Sequence, residues 1–204
     1  MTFDELLSPT RALVDGKEVI LVGTNNYLGL TFDESVLKAS HDAVQAFGSG
    51  TSGSRQANGS YAGHMALEQH LKDYCDAASA VVFTTGYQTN LGAISSLAGQ
   101  GDHLLIDADS HACIYDACRL SLVDTVRFRH NDPENLDRRL KRLPDTGARL
   151  VVAEGLYSMF GDVAPLDEFV DVAHANNAML YVDEAHSVGC YGEKARGVAE
   201  AQGV

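Results

Sequence analysis

Four short apolar runs, each passing directly into polar residues, restrict the architecture open to this chain. They are Ala80 to Phe83, Leu104 to Ile106, Arg149 to Ala153 and Ala178 to Val182. Continuous rather than alternating hydrophobicity predicts strands buried on both faces, as in a parallel sheet, with helical periodicity filling the intervals. The fold class that follows is α/β, a mainly parallel sheet flanked by helices. Right-handed crossovers bring the carboxyl ends of such strands to one edge of the sheet, where ligands bind in the crevice outside them. Thr84 to Tyr87, Asp107 to His111, Glu154 to Ser158 and Asp183 to His186 are therefore predicted to line one cleft.

Asp183 followed by His186 suits a ligand with a protonated ring nitrogen and a nearby acceptor oxygen, as pyridoxal phosphate has. The same stretch also fits Asp183 capping a helix and His186 as an ordinary loop histidine. Gly86 lets backbone approach a ligand at a predicted helix start, where unpaired N–H groups and the helix dipole favour an anion. An ordinary strand-to-helix turn is the alternative there. His111 stands at a third strand-to-helix junction. Together these ends offer an anion cradle, two imidazoles, a hydroxyl and a carboxylate, which matches a phosphate-bearing heteroaromatic cofactor.

The amino-terminal part, residues 1–47, is predicted as a hairpin around Asp15-Gly16 and a helix capped by Asp33 or Ser35 and ended by Gly48. That helix has Val36, Leu37, the small Ser40, Ala43, Val44 and Phe47 on its inner face. Residues 48–204 are assigned to the larger α/β domain. The loop from Gly48 to Arg55 is either flexible or an anion receiver. Its G-x-G-x-x-G spacing follows a helix, whereas a dinucleotide fingerprint must follow a strand. A net charge of −13 argues against a nucleic-acid surface. No apolar run approaches membrane-spanning length and the start lacks a signal pattern, so a cytoplasmic protein is expected. Cys75, Cys113, Cys118 and Cys190 show no paired spacing, so reduced thiols are expected, and no zinc-ligand pattern occurs.

Several of these stretches resemble the α-oxoamine synthases, fold-type I pyridoxal-phosphate enzymes. They are Asn25-Asn26-Tyr27-Leu28-Gly29, Gly48 to Arg55, Thr85 to Asn90 and Val182 to Ser187, in the family's order across nearly the whole chain. Asp109 to Asp116, Val126 to Asn131 and Tyr157 to Asp162 are most similar to the bacterial serine-using branch. The resemblance implies a decarboxylative condensation of L-serine with palmitoyl-CoA to a 3-ketosphingoid base. Alanine-using 8-amino-7-oxononanoate synthesis and glycine-using branches are the alternatives within the family. It further implies that Thr85, Gly86 and Tyr87 bind the cofactor at its phosphate end. His111 stacks on its ring and orients the substrate carboxylate, Asp183 pairs with the ring nitrogen, and His186 and Ser158 bond near the ring oxygen. Asn25 contacts the amino acid. A homodimer with shared active sites is implied, with Gly50 to Arg55 near its interface. The family's cofactor-linking lysine belongs to a Thr-x-x-Lys strand end, which would fall beyond Val204. Lys17, Lys38, Lys72, Lys141 and Lys194 lie in other contexts, so the chain is expected to be part of a longer enzyme. A noncatalytic binding or dimerisation module is the remaining alternative, disfavoured by the intact set of His111, Asp183 and His186.

Overall fold

The computed structural model describes residues 2–204, which fall into two compact units that divide between Leu67 and Glu68. The first unit opens with a three-stranded antiparallel sheet of β1 (Phe3–Ser8), β2 (Arg11–Val14) and β3 (Lys17–Ile20). Asp15 and Gly16 join β2 to β3 with φ of 51° and 70°. Both central residues are left-handed, the geometry of the two-residue hairpin that an Asp-Gly pair favours. β1 is an addition to the predicted hairpin; its Asp4 carboxylate accepts the Gly16 N–H at 2.9 Å. Helix α1 (Glu34–Phe47) starts where Asp33 accepts the N–H groups of Ser35 and Val36, and Gly48 ends it. Its predicted inner stripe is not covered. Val36, Leu37, Val44 and Phe47 are between 42% and 70% exposed. A short α2 (Arg55–Asn58) follows the glycine-rich loop, and α3 (Ala62–Cys75) comes next.

The second unit continues with α4 (Gly86–Leu97), β4 (His103–Asp107), α5 (Ala112–Ser121), β5 (Thr125–Phe128) and α6 (Pro133–Leu140). It closes with β6 (Arg149–Glu154), α7 (Leu166–Ala175), β7 (Met179–Asp183) and α8 (Val198–Gln202). The four strands form a parallel sheet in the order β5-β4-β6-β7, each joined by a helix to the next strand in sequence. The expected α/β class is therefore what the chain adopts. Alternate residues of the central strands serve opposite layers, as the pleat requires. Leu104, Ile106, Leu150 and Val152 pack with Ile94 of α4 and Ile114 of α5. Leu105, Val151 and Ala153 pack on the other side with Leu136 of α6 and Leu166 and Phe169 of α7.

Two strand expectations need correction. Ala80 to Phe83 is extended but is not a strand, because it has no ladder partner among the described residues. Val81 is 68% exposed and the Val82 N–H donates instead to the Glu68 carboxylate at 2.9 Å. β7 is half-buried rather than buried on both faces, since β6 is its one neighbour among the described strands. A turn, not a helix, follows Asp183, so the helix-cap reading of that residue fails. No helix among the described residues is long and apolar enough to cross a membrane.

Leu105 is fully buried between the sheet and the α6–α7 layer. Leu105→Ala in the complete protein is expected to lower unfolding free energy by about 3 kcal/mol, the usual scale for a buried Leu-to-Ala cavity. Urea denaturation should show a lower midpoint at unchanged slope.

Candidate active site

Parallel register decides which polar residues meet. Glu154 at the end of β6 is aligned with Asp183 at the end of β7, and Asp107 ends β4 on the other side of β6. Three carboxyl groups thus share the carboxyl edge of the sheet. Each is stabilised differently, and those differences build the site.

Asp183 is held by two donors: Asn90 Nδ2 at 2.6 Å to Oδ2 and the Ala185 N–H at 2.9 Å to Oδ1. Asn90 is buried on α4 and its Oδ1 accepts the Tyr181 hydroxyl at 2.7 Å. Burial, with the Asp183 charge next, pushes the Tyr181 phenol up to about 12, so it remains a donor. Asn90 lies one helical turn after Gly86, which brings the start of α4 and the Asp183 carboxylate to the same end of the sheet. At that start Thr85 Oγ1 accepts the Gln88 N–H at 3.1 Å. A Cβ built on Gly86 meets nothing within 4 Å. The first turn is therefore capped and its Gly86 face is open.

His111 caps α5: its Nδ1 accepts the Cys113 N–H at 3.2 Å, and the Cys113 sulfur lies 2.8 Å from the same nitrogen. A ring nitrogen that accepts carries no proton, so the neutral imidazole keeps Nε2 as its donor. Asn90 Nδ2 also reaches Cys113 Sγ at 3.0 Å, so one buried amide bridges the neighbourhoods of His111 and Asp183. Burial raises the Cys113 thiol above its usual value despite the Asn90 bond, and nearby Asp183 and Glu154 add to the rise. The ring of His186 stands 6.5 Å from that of His111, centroid to centroid, with the planes inclined at 47°.

Glu154 lies between these groups and is 1% exposed. Its Oε1 accepts the His111 backbone N–H, while Oε2 is buried without a hydrogen-bond partner and lies 4.0 Å from His186 Nδ1. Burial chiefly, with the Asp183 and Asp107 charges, pushes its carboxyl up to about 7 against the opposing N–H groups of His111 and Ser158.

Asp107 is fully buried and accepts the Asp109 N–H, the Asn131 N–H and His130 Nδ1 at 2.8–2.9 Å. His130 Nε2 bonds Asp162 at 2.6 Å, which ties the end of β5 to the segment after β6. That segment folds on itself through Tyr157 N–H to Asp162 O and Gly161 N–H to Tyr157 O. It presents Ser158 as an exposed residue.

The residues singled out from sequence thus divide. His111, Asp183 and His186 lie together, with Thr85, Gly86 and Tyr87 on the helix that Asn90 anchors and Ser158 on the segment His130 holds. Asn25 belongs to the other compact unit, where its Oδ1 accepts the Tyr27 hydroxyl at 3.3 Å. Sequence reasoning left out Asn90, Tyr181 and His130 as site residues, and put Glu154 in the cleft lining without giving it a role. Glu154 ends a recognisable strand and was readable there. Asn90 shows only as a polar residue beside the apolar Leu91 and Ile94.

A doubly covered parallel sheet with this carboxyl-edge set places the chain in a defined class. The profile of the aminotransferase class I and II family matches residues 17–203, and the chain belongs to that family. Its relatives narrow the resemblance to the α-oxoamine synthases. A serine palmitoyltransferase of Caulobacter vibrioides is 58% identical over 99% of this chain and 50% of its own length. That of Sphingomonas paucimobilis is 53% identical over 100% and 49%. The solved Sphingomonas wittichii serine palmitoyltransferase superposes with a TM-score of 0.97 at 55% identity, over 100% of this chain and 51% of that one. The S. paucimobilis enzyme, solved with bound PLP and myriocin, superposes at 0.96, with 54% identity over 99% and 51%. The chain spans about half the length of the curated relatives it matches. Its residues fit a PLP-like group: an open helix start for an anion, a carboxylate fixed one turn on, and two imidazoles beside it.

His130 supplies a test of the scaffold. Burial alone would lower its pKa, but hydrogen bonds to Asp107 and Asp162 outweigh that and raise it above 6.5. A raised folded-state pKa means the stabilisation is fully present below the unfolded value and is lost as pH climbs through the folded one. His130→Gln is expected to lose roughly 2 kcal/mol, the scale for leaving buried acceptors short of a charged donor. The difference from wild type in urea denaturation should be largest below about pH 6 and shrink on the alkaline side.

Proposed function

We propose that the complete protein carrying this chain is a pyridoxal-phosphate-dependent α-oxoamine synthase. In this reading it condenses L-serine with palmitoyl-CoA, releasing carbon dioxide and coenzyme A and forming a 3-ketosphingoid base. The observation that carries the proposal is the fixed Asp183 carboxylate, anchored through Asn90 to the helix whose start is open to an anion. The identity to enzymes named serine palmitoyltransferase supports the choice of substrates.

When bound, the cofactor supplies an electron-accepting ring that stabilises negative charge at the amino acid's α-carbon. Thr85, Gly86 and Tyr87 hold its phosphate at the amino end of α4, where N–H groups lack intrahelical partners. Asp183 accepts the ring N–H and so keeps that nitrogen protonated. His111 would stack on the ring and would offer Nε2–H to the substrate carboxylate, its Nδ1 being occupied by the Cys113 N–H. His186 and Ser158 bond near the ring oxygen, and Asn25 contacts the amino acid. Residues 48–204 form part of the cofactor domain, after an amino-terminal segment of 1–47. Each site is completed by a second copy, a reading supported by the uncovered apolar stripe of α1. The cytoplasm is the compartment proposed, one in which four free cysteines stay reduced.

Relatives named 8-amino-7-oxononanoate synthase, such as that of Geobacter metallireducens at 41% identity, define the competing substrate pair. Purified complete protein is expected to show the visible absorption of bound pyridoxal phosphate. It should release coenzyme A from palmitoyl-CoA with serine, and far more slowly with alanine or glycine. Alanine with a short dicarboxylic acyl-CoA outpacing serine would overturn the substrate assignment. Asp183→Asn is expected to cut kcat/KM by at least about 100-fold, the scale of losing one proton-controlling group. Light scattering should give a dimer, and Phe47→Asp should shift it towards monomer.

A further inference from the structure

The proposed function gives Glu154 no task, although its buried carboxyl bonds the His111 main chain and lies 4.0 Å from His186 Nδ1. Of its two oxygens, Oε1 accepts the His111 main-chain N–H and Oε2 is enclosed without a partner. A buried acceptor oxygen that completes no hydrogen bond is unfavourable by about 1–3 kcal/mol, so such an atom needs a physical reason. The Ser158 N–H also acts on this carboxyl, and the imidazole beside Oε2 is His186, whose Nδ1 lies 4.0 Å away, about 1 Å beyond an N–H···O hydrogen bond. Other titratable groups face the same carboxyl. Asp183 comes from β7, Asp107 from β4, His111 and Cys113 from the start of α5, and buried Tyr157 from the segment after β6.

We propose that Glu154 is a positioning residue that determines which ring nitrogen of His186 carries the proton. Protonated, the Glu154 carboxyl donates from Oε2 to Nδ1, and His186 turns an Nε2–H donor away from it. Ionised, it accepts from Nδ1–H, and Nε2 becomes an acceptor. One proton on Glu154 thereby reverses the polarity that His186 presents, while Oε1 keeps the start of α5 in place in both states. The carboxyl's position near neutrality puts that reversal within the working range. The link between Glu154 and His186 is internal to the chain. It rests on the functional reading only for what Nε2 would meet, a ring oxygen of the cofactor.

The test uses the complete protein labelled with 15N-histidine, with and without pyridoxal phosphate, and His186→Gln to assign the signal. Wild-type His186 should change tautomer between about pH 6 and pH 8, following the Glu154 carboxyl. Glu154→Gln offers an amide N–H at the Oε2 position that never ionises, so His186 should stay Nε2–H throughout. In the same variant the limb of the kcat/KM profile near pH 7 should vanish. Glu154→Ala, which removes both oxygens, should lose activity at every pH. A wild-type His186 that keeps one tautomer across the range would overturn the proposal, whatever the variants do. So would a Glu154→Gln protein whose His186 titrates as wild type. Both spectra can be read without cofactor, so failure of the functional assignment would appear separately, as absent cofactor binding with the tautomer change intact.

Discussion

Parallel register is the constraint on which this unit depends. Because β4, β6 and β7 run in the same direction and end together, Asp107, Glu154 and Asp183 arrive at one edge of the sheet. Three acidic groups brought together in a low-dielectric setting oppose one another's ionisation. Each therefore needs either donors or a proton. Asp107 is surrounded by N–H groups and an imidazole, Asp183 is held by an amide and a main-chain N–H, and Glu154 is left with a carboxyl raised to about 7. The unequal supply of donors makes three similar side chains chemically distinct.

The surroundings of these acids serve more than one of them at a time. Asn90 donates to Asp183 and to Cys113, and Cys113 in turn donates its N–H to His111. His130 joins Asp107 to Asp162 and so fixes the segment that bears Ser158. Residues on or next to α4, α5, β4, β5, β6 and β7 are coupled through a few bonds, one buried and the others part-buried, where hydrogen bonding is stronger than in open water. The chemistry proposed for the complete protein thus draws on strand ends and on the turns that directly follow them.

Much of this was legible in the amino acids. Leu104 to Ile106 and Leu150 to Ala153 announced buried strands through unbroken hydrophobicity, and Asp15-Gly16 announced its hairpin because few residue pairs tolerate two left-handed φ angles. His111, Asp183 and His186 were readable because polar chemistry directly after an apolar strand has few structural uses. Ala80 to Phe83 misled, since an apolar run specifies a strand only when a partner is there to complete the ladder. The stripe of α1 misled likewise: periodicity identifies an apolar face without stating what covers it. Asn90 was beyond reach. Its importance comes from an amide meeting a carboxylate 93 positions later, a relation that only the folded chain contains.

The bond between Asn90 and Asp183 also turns α4 into a gauge. Gly86 and Asn90 are four positions apart, a rise of about 6 Å along a helix. In the proposed reading, the spacing between the phosphate-holding turn and the carboxylate is set by that rise together with the side-chain bond from Asn90 to Asp183. Small molecules whose acidic tail and basic ring atom are too close together or too far apart cannot satisfy both ends at once. If the proposed site holds such a ligand, selection by length would follow from the helix and the Asn90–Asp183 bond together.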